Sequence, residues 1–257
     1  MTTLDLKPTV SIITVCYNSE TTIESTIRSV ISQDYPLIEY IIVDGDSKDK
    51  TLEIISKYST NISKQVSEHD KGIYDAMNKG IAMATGDIIG ILNSDDIFAS
   101  DTIISEVVNA FVSDPSIDAV YGNITYFRDQ FPDKVVRTWI TKPYYAKFFD
   151  NGEVAPHPSL FVKKTVYNSI GVYFPDFKIT SDYEFMLRAF KIHGYKPHYL
   201  DKFIVNMRMG GESTRSFKNI LIGNKEIISA WKMNNLRPPV YFWFLRFTKK
   251  ILQYISK

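Results

Sequence analysis

The sequence predicts an α/β fold with a Rossmann-like, mostly parallel central sheet and helices on both faces. In the first half of the chain, short apolar runs rich in β-branched residues alternate with stretches of helical periodicity, which is the rhythm of a doubly wound sheet. Several apolar runs end abruptly in polar residues. The chain has 257 residues, 44% hydrophobic and 23% charged, so it can bury a sizeable core.

The elements of the first half follow one another regularly. Residues 10–15 (V-S-I-I-T-V) and 40–43 (Y-I-I-V) are continuously apolar or small, which predicts buried parallel strands. The helix between them has one apolar face, formed by Ile23, Ile27, Val30 and Ile31. Further helices are predicted at residues 50–57 and 72–83, and a further strand at residues 88–92.

After about residue 120 the alternation changes. Residues 120–127 and 134–141 are predicted to form an antiparallel ribbon around the turn residues D-Q-F-P-D. Helices are predicted at residues 181–193 and 217–233. Because no linker rich in Gly, Ser or Pro separates this half, we expect it to pack onto the first sheet.

The composition excludes several classes of protein. The net charge is +1 with Lys and Arg spread along the chain, so the footprint of a nucleic-acid-binding protein is missing. Cys16 is the only cysteine, which excludes an intrachain disulfide and a cysteine-based zinc cluster. The start M-T-T-L-D-L-K-P does not have the pattern of a signal peptide, and no apolar run approaches the length of a membrane span. We therefore expect a cytoplasmic protein.

Polar residues follow three of the predicted strands, in the loops T-V-C-Y-N, V-D-G-D-S and L-N-S-D-D. Loops at the carboxyl ends of parallel strands meet at one crevice, where open α/β sheets bind ligands. Asp95 and Asp96 would form a strongly anionic spot there, suited to a hard divalent cation that carries a diphosphate. Without a cation the two carboxylates repel each other, so at least one is pushed towards protonation.

An alternative interpretation of S-D-D is a helix N-cap, since Asp satisfies free N–H groups at a helix start. Ser100 and Asp101 stand directly before the next predicted helix and are expected to cap it. That would leave Asp95 and Asp96 available for ligand binding.

Four motifs occur in order along the first half: V-S-I-I-T-V-C-Y-N-S-E-T-T-I, I-I-V-D-G-D-S-K-D-K-T, S-E-H-D-K-G-I-Y-D-A-M-N-K-G-I-A-M-A-T-G-D and L-N-S-D-D. Their order and spacing resemble the nucleotide-binding half of glycosyltransferase family 2, which has the GT-A fold and includes bacterial surface-polysaccharide glycosyltransferases. A looser similarity, in H-P-S-L-F-V and T-S-D-Y-E-F-M-L-R, continues to about Arg188.

The resemblance implies three regions. Residues 1–125 would form the nucleotide-sugar-binding half, and residues 126–213 the acceptor-binding half that carries the catalytic base. Residues 214–257 would form C-terminal helices.

The resemblance also implies roles for residues that bind the donor. Thr14 and Tyr17 match the loop that holds the base and ribose. The family often has two adjacent acids after the second strand, the second of which reads uracil; here the order is Asp44, Gly45, Asp46. Base recognition is therefore assigned to Asp44, with Asp46 as the alternative. Lys71 matches a basic position near the diphosphate.

Metal binding and catalysis are carried over in the same way. Asp95 and Asp96 match the acidic pair that binds Mn²⁺ or Mg²⁺ with the donor, and Asp96 is the expected direct ligand. Asp182 matches the catalytic acid, with Ser181 in place of the usual Glu. His157, fixed between two prolines, is a tentative metal or diphosphate ligand.

Other candidates have a structural interpretation of similar weight. Tyr74 and Asn78 lie four apart on a predicted helix and would either touch the donor or acceptor, as we assign for Asn78, or only pack. The segment M-G-G-E-S-T, with Gly210, Gly211 and Ser213, is either a loop that closes on the donor or an ordinary turn. Three histidines lack metal-ligand spacing and are expected to be structural or exposed: His69, His193 and His198.

The predicted function is an inverting, metal-dependent transfer of a hexose from a nucleotide sugar, most simply a UDP-sugar, to a saccharide acceptor. Inversion requires one carboxylate to accept the proton of the incoming hydroxyl, and that base would be Asp182. A nucleotidyltransferase that makes sugar nucleotides is the first alternative, although the loop C-Y-N-S-E-T-T lacks the glycine-rich, basic character it needs. A non-catalytic sugar-nucleotide-binding protein is the second, and it would need no base.

The C-terminal segment predicts an amphipathic helix. Its apolar stripe is formed by Val240, Phe244, Phe247, Ile251 and Ile255, and its basic face by Arg246, Lys250 and Lys257. Aromatic residues opposite a basic face are typical of a helix that lies in the headgroup region of a membrane. We therefore expect peripheral association with the inner face of a bacterial membrane and a polyprenyl-diphosphate-linked acceptor. The alternative is that the apolar face docks on the protein or on a second subunit in a homodimer.

Overall fold

The computed structural model describes residues 7–128, 135–210 and 217–255. Within these ranges, nine strands form one sheet. Helices cover both faces. The predicted α/β class with a Rossmann-like, mostly parallel sheet is confirmed.

The first half alternates strand and helix as predicted. The elements are β1 (Val10–Cys16), α1 (Ile23–Ile31), β2 (Ile38–Asp44), α2 (Thr51–Ser56), β3 (Lys64–Ser67), α3 (Ile73–Met83) and β4 (Ile88–Ile91). Strands β1 to β4 are parallel to one another. The register places Cys16 beside Asp44 and Asp44 beside Ser67, so three strands end level at one edge.

The second half extends the same sheet. Its elements are β5 (Ile97–Phe98), α4 (Ile103–Ser113), β6 (Ala119–Phe127), β7 (Val135–Trp139), β8 (Phe161–Lys163), α5 (Lys164–Ile170), α6 (Ser181–Met186), β9 (Pro197–Arg208), α7 (Phe217–Met233) and α8 (Phe242–Ile255). The strand order is β3-β2-β1-β4-β8-β6-β9-β5, and β7 pairs with β6. Strand β8 runs antiparallel to β4 and to β6. The predicted ribbon of β6 and β7 is antiparallel; its turn and Lys134 lie outside the described residues.

Four strands were not predicted. The sequence of β3, K-Q-V-S, alternates between half-buried and exposed residues at the sheet edge, and β5 has only two residues. Strand β8 is three residues long, and β9 is interrupted by the exposed polar pair Asp201 and Lys202. None of them has the continuous apolar run that marks a central strand.

Two apolar clusters hold the layers together, one on each face of the sheet. Helices α1 and α4 pack on one face, and α3 packs on the other with helices of the second half. Gly80 of α3 lies so close to the sheet that a Cβ there would be 2.3 Å from Cγ2 of Ile13. The glycine therefore sets the distance between α3 and β1.

The helix starts differ from the prediction in one respect. The N-cap position of α4 is Thr102, without a capping side-chain hydrogen bond. Asp101 accepts a hydrogen bond from Ser32 instead, so the expectation that Ser100 and Asp101 cap this helix was wrong. The helix predicted at residues 181–193 is present, but its second half, Leu187–Ile192, is a π-helix.

No helix in the described ranges combines the length and the apolar character needed to cross a membrane.

Candidate functional site

The polar loops at the carboxyl ends of β1 to β4 converge as predicted. The loop after β1 is joined to the loop after β2, because the backbone N–H of Asn18 donates to Ser47 Oγ (2.8 Å). It is joined to the loop after β4 by the hydroxyls of Ser19 and Ser94, 2.8 Å apart. The loops therefore form one hydrogen-bonded rim at this edge of the sheet.

Asp44 holds this rim together from within. Its carboxylate is fully buried and accepts hydrogen bonds from the backbone and hydroxyl of Ser47 (3.0 and 2.5 Å) and from the hydroxyl of Ser67 (2.6 Å). Burial, followed by the nearby charge of Asp44, raises the pKa of the Cys16 thiol. A base contact by Asp44 would require it to exchange some of these bonds.

Asp46 is more accessible than Asp44. Its backbone has a φ of +66°, a conformation that Asp tolerates better than most residues. Its side chain is 49% exposed and pairs with Lys48 at 2.7 Å. Its role and that of Asp44 in base recognition both stay predictions.

Gly45, the glycine in place of the family's second acid, lies between Tyr17 and Asp70. A Cβ at this position would be 2.8 Å from Asp70 Oδ2 and 3.4 Å from Cδ2 of Tyr17. The Tyr17 ring is 63% exposed at the rim, and Asp70 is held by Lys79 at 2.6 Å. Sequence analysis missed Asp70 because it missed β3, although the carboxyl end of a parallel strand is where such residues occur.

The acidic pair after β4 is partly sequestered. Asp96 is fully buried and accepts hydrogen bonds from the backbone N–H of Arg208 and from Asn93 Nδ2, both at 3.2 Å. Burial and then the charge of Asp95 raise the pKa of Asp96 well above its ordinary value. Burial also raises the pKa of Asp95. The predicted shift towards protonation without a cation is therefore confirmed in direction.

The donor atoms around this pair fit a hard divalent cation. Asn93 Oδ1 is buried and has no hydrogen-bond partner within the described ranges, next to two carboxylates whose pKa values are raised. In the described ranges of the chain, no cluster of three or more His, Cys, Asp or Glu side chains could hold a metal ion. The protein would thus supply few ligands, as is usual for Mg²⁺ bound with substrate phosphates.

The other three residues predicted to bind the sugar donor have different surroundings from one another. Thr14 is buried in β1 and accepts a hydrogen bond from Tyr40 (3.1 Å). Lys71 is exposed, and its backbone N–H donates to Asp75. Asn78 donates to the carbonyl of Tyr173 (2.8 Å) and accepts from its N–H (3.0 Å). A donor contact by Asn78 would require it to exchange these bonds.

Asp182 lies in the first turn of α6 and is linked to the first half of the chain. Tyr74 of α3, buried at 5% exposure, donates a hydrogen bond to Asp182 Oδ1 at 2.9 Å. Burial, followed by the negative charge of Asp182, raises the pKa of Tyr74 well above its ordinary value. The N-cap position of α6 is Thr180, so Asp182 is not the cap residue of its helix.

Glu226 of α7 fixes the segment before Asp182. Its carboxylate accepts hydrogen bonds from three consecutive backbone N–H groups, those of residues 178–180, at 2.7 to 2.9 Å. These groups precede α6 and would otherwise need water or another acceptor. Glu226 therefore positions the start of α6 from a different helix, which short-range sequence patterns do not reveal.

His157 is placed close to Asp182 without an observed link to the acidic pair. Its Nε2 lies 3.0 Å from the hydroxyl of Tyr173. Burial lowers the pKa of His157, and the charge of Asp182 acts in the opposite direction. As a neutral imidazole it can share a proton with Tyr173; its metal role stays a prediction. His69, His193 and His198 are exposed, in line with the sequence analysis.

Helix α8 contacts the protein through basic residues. Arg246, which the sequence analysis assigned to the basic face, has its guanidinium carbon 5.7 Å from the ring centroid of Tyr183. Lys249 donates to the carbonyl of Asn151 at 2.9 Å and pairs with Glu153. Helical periodicity separated two faces of this helix but did not identify which residues contact the protein.

Two other features lie apart from this site. A cavity of about 400 Å³ is found at the amino ends of β1 and β4, lined by Pro8, Thr85 and Lys164 among others, at the edge opposite the polar loops. In the segment M-G-G-E-S-T, Gly210 has a φ of +112°, whereas Gly211 and Ser213 lie outside the described residues.

Comparison with known proteins gives consistent matches. Residues 11–171 match the family model described as glycosyl transferase family 2. An uncharacterized glycosyltransferase of Mycobacterium tuberculosis is 33% identical over 190 residues, which are 71% of this chain and 69% of that protein.

Two crystal structures are similar in fold. Staphylococcus aureus TarS 1-349 in complex with UDP-GlcNAc superposes with a TM-score of 0.65 at 19% identity, over 88% of this chain and 65% of the TarS chain. The mannosyltransferase PcManGT from Pyrobaculum calidifontis, in complex with GDP-Man and Mn²⁺, gives a TM-score of 0.66 at 16% identity, over 98% of this chain and 71% of that chain. Less than two thirds of the TarS chain is thus represented here.

Proposed function

This chain belongs to glycosyltransferase family 2 and has the GT-A fold; on that premise we propose that it transfers a hexose from a UDP-sugar to a saccharide acceptor with inversion at the anomeric carbon. The observation that carries the proposal is the hydrogen bond from Tyr74 to Asp182. This hydrogen bond links the Asp182 carboxylate, in the second half of the chain, to helix α3 of the first half. A protein that only bound nucleotide sugars would need no such carboxylate.

The donor diphosphate would lie at the rim of strand-end loops. Asp95, Asp96 and Asn93 Oδ1 would hold a divalent cation there, and Lys71 would lie near the phosphates. When bound, Mn²⁺ or Mg²⁺ would stabilise the negative charge that develops on the departing diphosphate. The similar structure of TarS contains UDP-GlcNAc, and that of PcManGT contains GDP-Man with Mn²⁺. Both support this assignment.

The transfer step assigns one role to Asp182. An acceptor hydroxyl attacks the anomeric carbon from the face opposite the diphosphate, so a C–O bond to the acceptor forms while the C–O bond to phosphate breaks. Asp182 takes the hydroxyl proton, and the nucleoside diphosphate leaves. Tyr74 would orient the carboxylate through its hydrogen bond at 2.9 Å, and Glu226 would hold the helix that carries it.

We also propose that the protein acts at the inner face of a bacterial membrane on a polyprenyl-diphosphate-linked acceptor, in surface-polysaccharide synthesis. The support is one face of α8 and the segment before it. Val240, Phe244 and Phe247 are 101%, 70% and 67% exposed, so these aromatic and aliphatic groups do not pack on the protein. Exposed apolar patches of this kind bind membranes or other proteins.

The donor assignment is tested by titrating UDP and GDP calorimetrically, with and without Mn²⁺, against the wild type and Asp96→Asn. We expect UDP to bind with Mn²⁺, and the variant to lose most of the metal-dependent affinity while its fold remains intact. Asp101→Asn, an exposed aspartate outside the rim, is the matched control and should bind as the wild type does. Tighter binding of GDP than UDP would refute the UDP-sugar assignment, and equal metal dependence in Asp96→Asn would remove its metal role.

A further inference from the structure

Helix α8 is anchored on the protein near the proposed catalytic base. Phe242 is fully buried, with its ring centroid 5.7 Å from that of Trp231. A Cβ on Gly152 would lie 3.0 Å from the backbone of Arg246, so helix and loop are in close contact. Lys249 fixes the next turn through the carbonyl of Asn151. The direction of the Arg246 side chain follows from this anchoring.

The Arg246 guanidinium points towards the start of α6. Its carbon lies 5.7 Å from the ring centroid of Tyr183, the residue after Asp182. Burial lowers the pKa of Arg246, while Tyr183 and Asp182 act in the opposite direction. Within the parts of the chain that the structure describes, Arg246 forms no ion pair. Arg246 is half-buried, and a cation that is partly removed from water is stabilised by an accompanying anion.

From this arrangement we infer that Arg246 binds a phosphate group of the acceptor and thereby brings the acceptor hydroxyl to Asp182. The inference rests on the proposed function. A guanidinium donates two parallel hydrogen bonds to a phosphate, which makes Arg well suited to this recognition. The donor diphosphate is assigned to a different set of residues, at the rim around Asp95 and Asp96. A group beside Asp182 is therefore placed to contact the acceptor.

The opposite side of α8 is consistent with a phosphate attached to a lipid. Phe244, two residues before Arg246 and therefore on the other side of the helix, is exposed, and so is Phe247 on the neighbouring flank. If those rings enter the headgroup region, the helix lies between the bilayer surface and Asp182. A prenyl diphosphate at that surface would present its phosphates at the level where Arg246 lies.

The experiment measures calorimetric binding of farnesyl diphosphate and of farnesol, in the same detergent micelles, to the full-length protein. The variants are Arg246→Gln, which removes the charge, and Arg246→Lys, which keeps it without the planar fork. Lys232→Gln is the matched control, because it removes an exposed cation of α7 and leaves the anchoring contacts of α8 in place. UDP with Mn²⁺ is titrated into each protein to report the donor site.

We expect the wild type to bind farnesyl diphosphate more tightly than farnesol. Arg246→Gln should weaken binding of the diphosphate by about tenfold to a hundredfold, with Arg246→Lys intermediate and Lys232→Gln unchanged. UDP affinity should stay within about twofold in all variants.

Three results would overturn the inference: no preference of the wild type for the diphosphate over farnesol, an equal loss of affinity in Lys232→Gln, or a loss of UDP affinity in Arg246→Gln. The last result would assign the guanidinium to the donor. Failure of the proposed function is distinguishable, since it appears in the wild type as absence of UDP binding and of sugar transfer.

Discussion

At the scale of single residues, the acids of this site differ by what they contact. Asp44 accepts three hydrogen bonds and builds the rim, whereas Asp96 is buried beside a second carboxylate and its pKa is raised. Asp182 accepts a single tyrosine hydroxyl. The same functional group can therefore serve a structural, a cation-binding and a proton-accepting role, because its surroundings select among them.

Replacing Asp182 by Asn separates catalysis from binding. The amide oxygen can still accept the hydrogen bond from Tyr74, but the side chain cannot take a proton from an acceptor hydroxyl. We expect sugar transfer to fall by about two to four orders of magnitude, with UDP affinity close to that of the wild type. Calorimetry and a transfer assay on the same preparation measure the two effects.

Asp176→Asn, at an exposed position nearby, is the control for a change of charge and should transfer normally. Unimpaired transfer by Asp182→Asn would end its role as the base, and equal loss of binding and transfer would assign it to the donor.

At the scale of elements, α3 and α8 position the groups that meet at Asp182. Helix α3 supplies Tyr74, which donates to Asp182, and α8 supplies Arg246, which lies over the ring of the next residue, Tyr183. The distance of α3 from the sheet is set by Gly80 against Ile13, and the orientation of α8 by Phe242 and Lys249. Small displacements of either helix would therefore change the surroundings of the base.

Gly80→Ala tests how tightly α3 packs. Alanine favours a helix by about 1 kcal/mol over glycine, but its Cβ would lie 2.3 Å from Cγ2 of the fully buried Ile13. Overpacking of this kind costs about 1–3 kcal/mol, so we expect a net loss of stability in denaturant unfolding. The double variant with Ile13→Ala should be more stable than the sum of the two single effects predicts; strict additivity would show that this contact is not the cause.

The exposed rings of α8 predict membrane binding. Replacing Phe244 and Phe247 by Ser should reduce co-sedimentation with anionic liposomes several-fold and leave the melting temperature unchanged, because both rings are largely exposed. Val112→Ser, at a position 58% exposed elsewhere, is the control. A change of oligomeric state without a change in liposome binding would show that this face joins two subunits.

At the scale of the whole molecule, the first half could be predicted from sequence more completely than the second. Strands β1, β2 and β4 are buried on both faces, so their continuous apolar runs reveal them, and parallel pairing then places their end loops together. The short or polar strands β3 and β9 carry no such signal. Asp70 and Glu226 were missed, and the contact of Arg246 with Tyr183 was not foreseen, for a related reason: these positions depend on tertiary contacts that local periodicity does not encode.

Glu39, at the opposite edge of the sheet from the site, predicts the response to acid. Burial alone would raise its pKa, but Lys64, Ser11 and Thr85 lower it to about 2. Its folded pKa lies below the ordinary value of 4.5, so it stabilises the fold above that value and the contribution is lost as pH falls towards 2. Glu39→Gln should lower the unfolding free energy at pH 7 by about 2 to 3 kcal/mol and flatten its pH dependence in this window.

Denaturant unfolding between pH 2 and 7 measures the effect, with Glu24→Gln as a control at an exposed i,i+4 pair. An unchanged slope in Glu39→Gln would assign the acid sensitivity to other carboxylates.

The backbone of Arg208 donates to Asp96 across 112 residues of sequence, and this has a consequence for synthesis on the ribosome. At elongation rates of about 5–20 residues per second, the ribosome needs roughly 6 to 22 seconds to extend the chain from Asp96 to Arg208. During that interval the four parallel strands can already be present, while β4 still lacks the strand that will cover its open edge. The nascent chain therefore passes through a stage with an exposed sheet edge next to two carboxylates, whose repulsion disfavours edge-to-edge association with another chain.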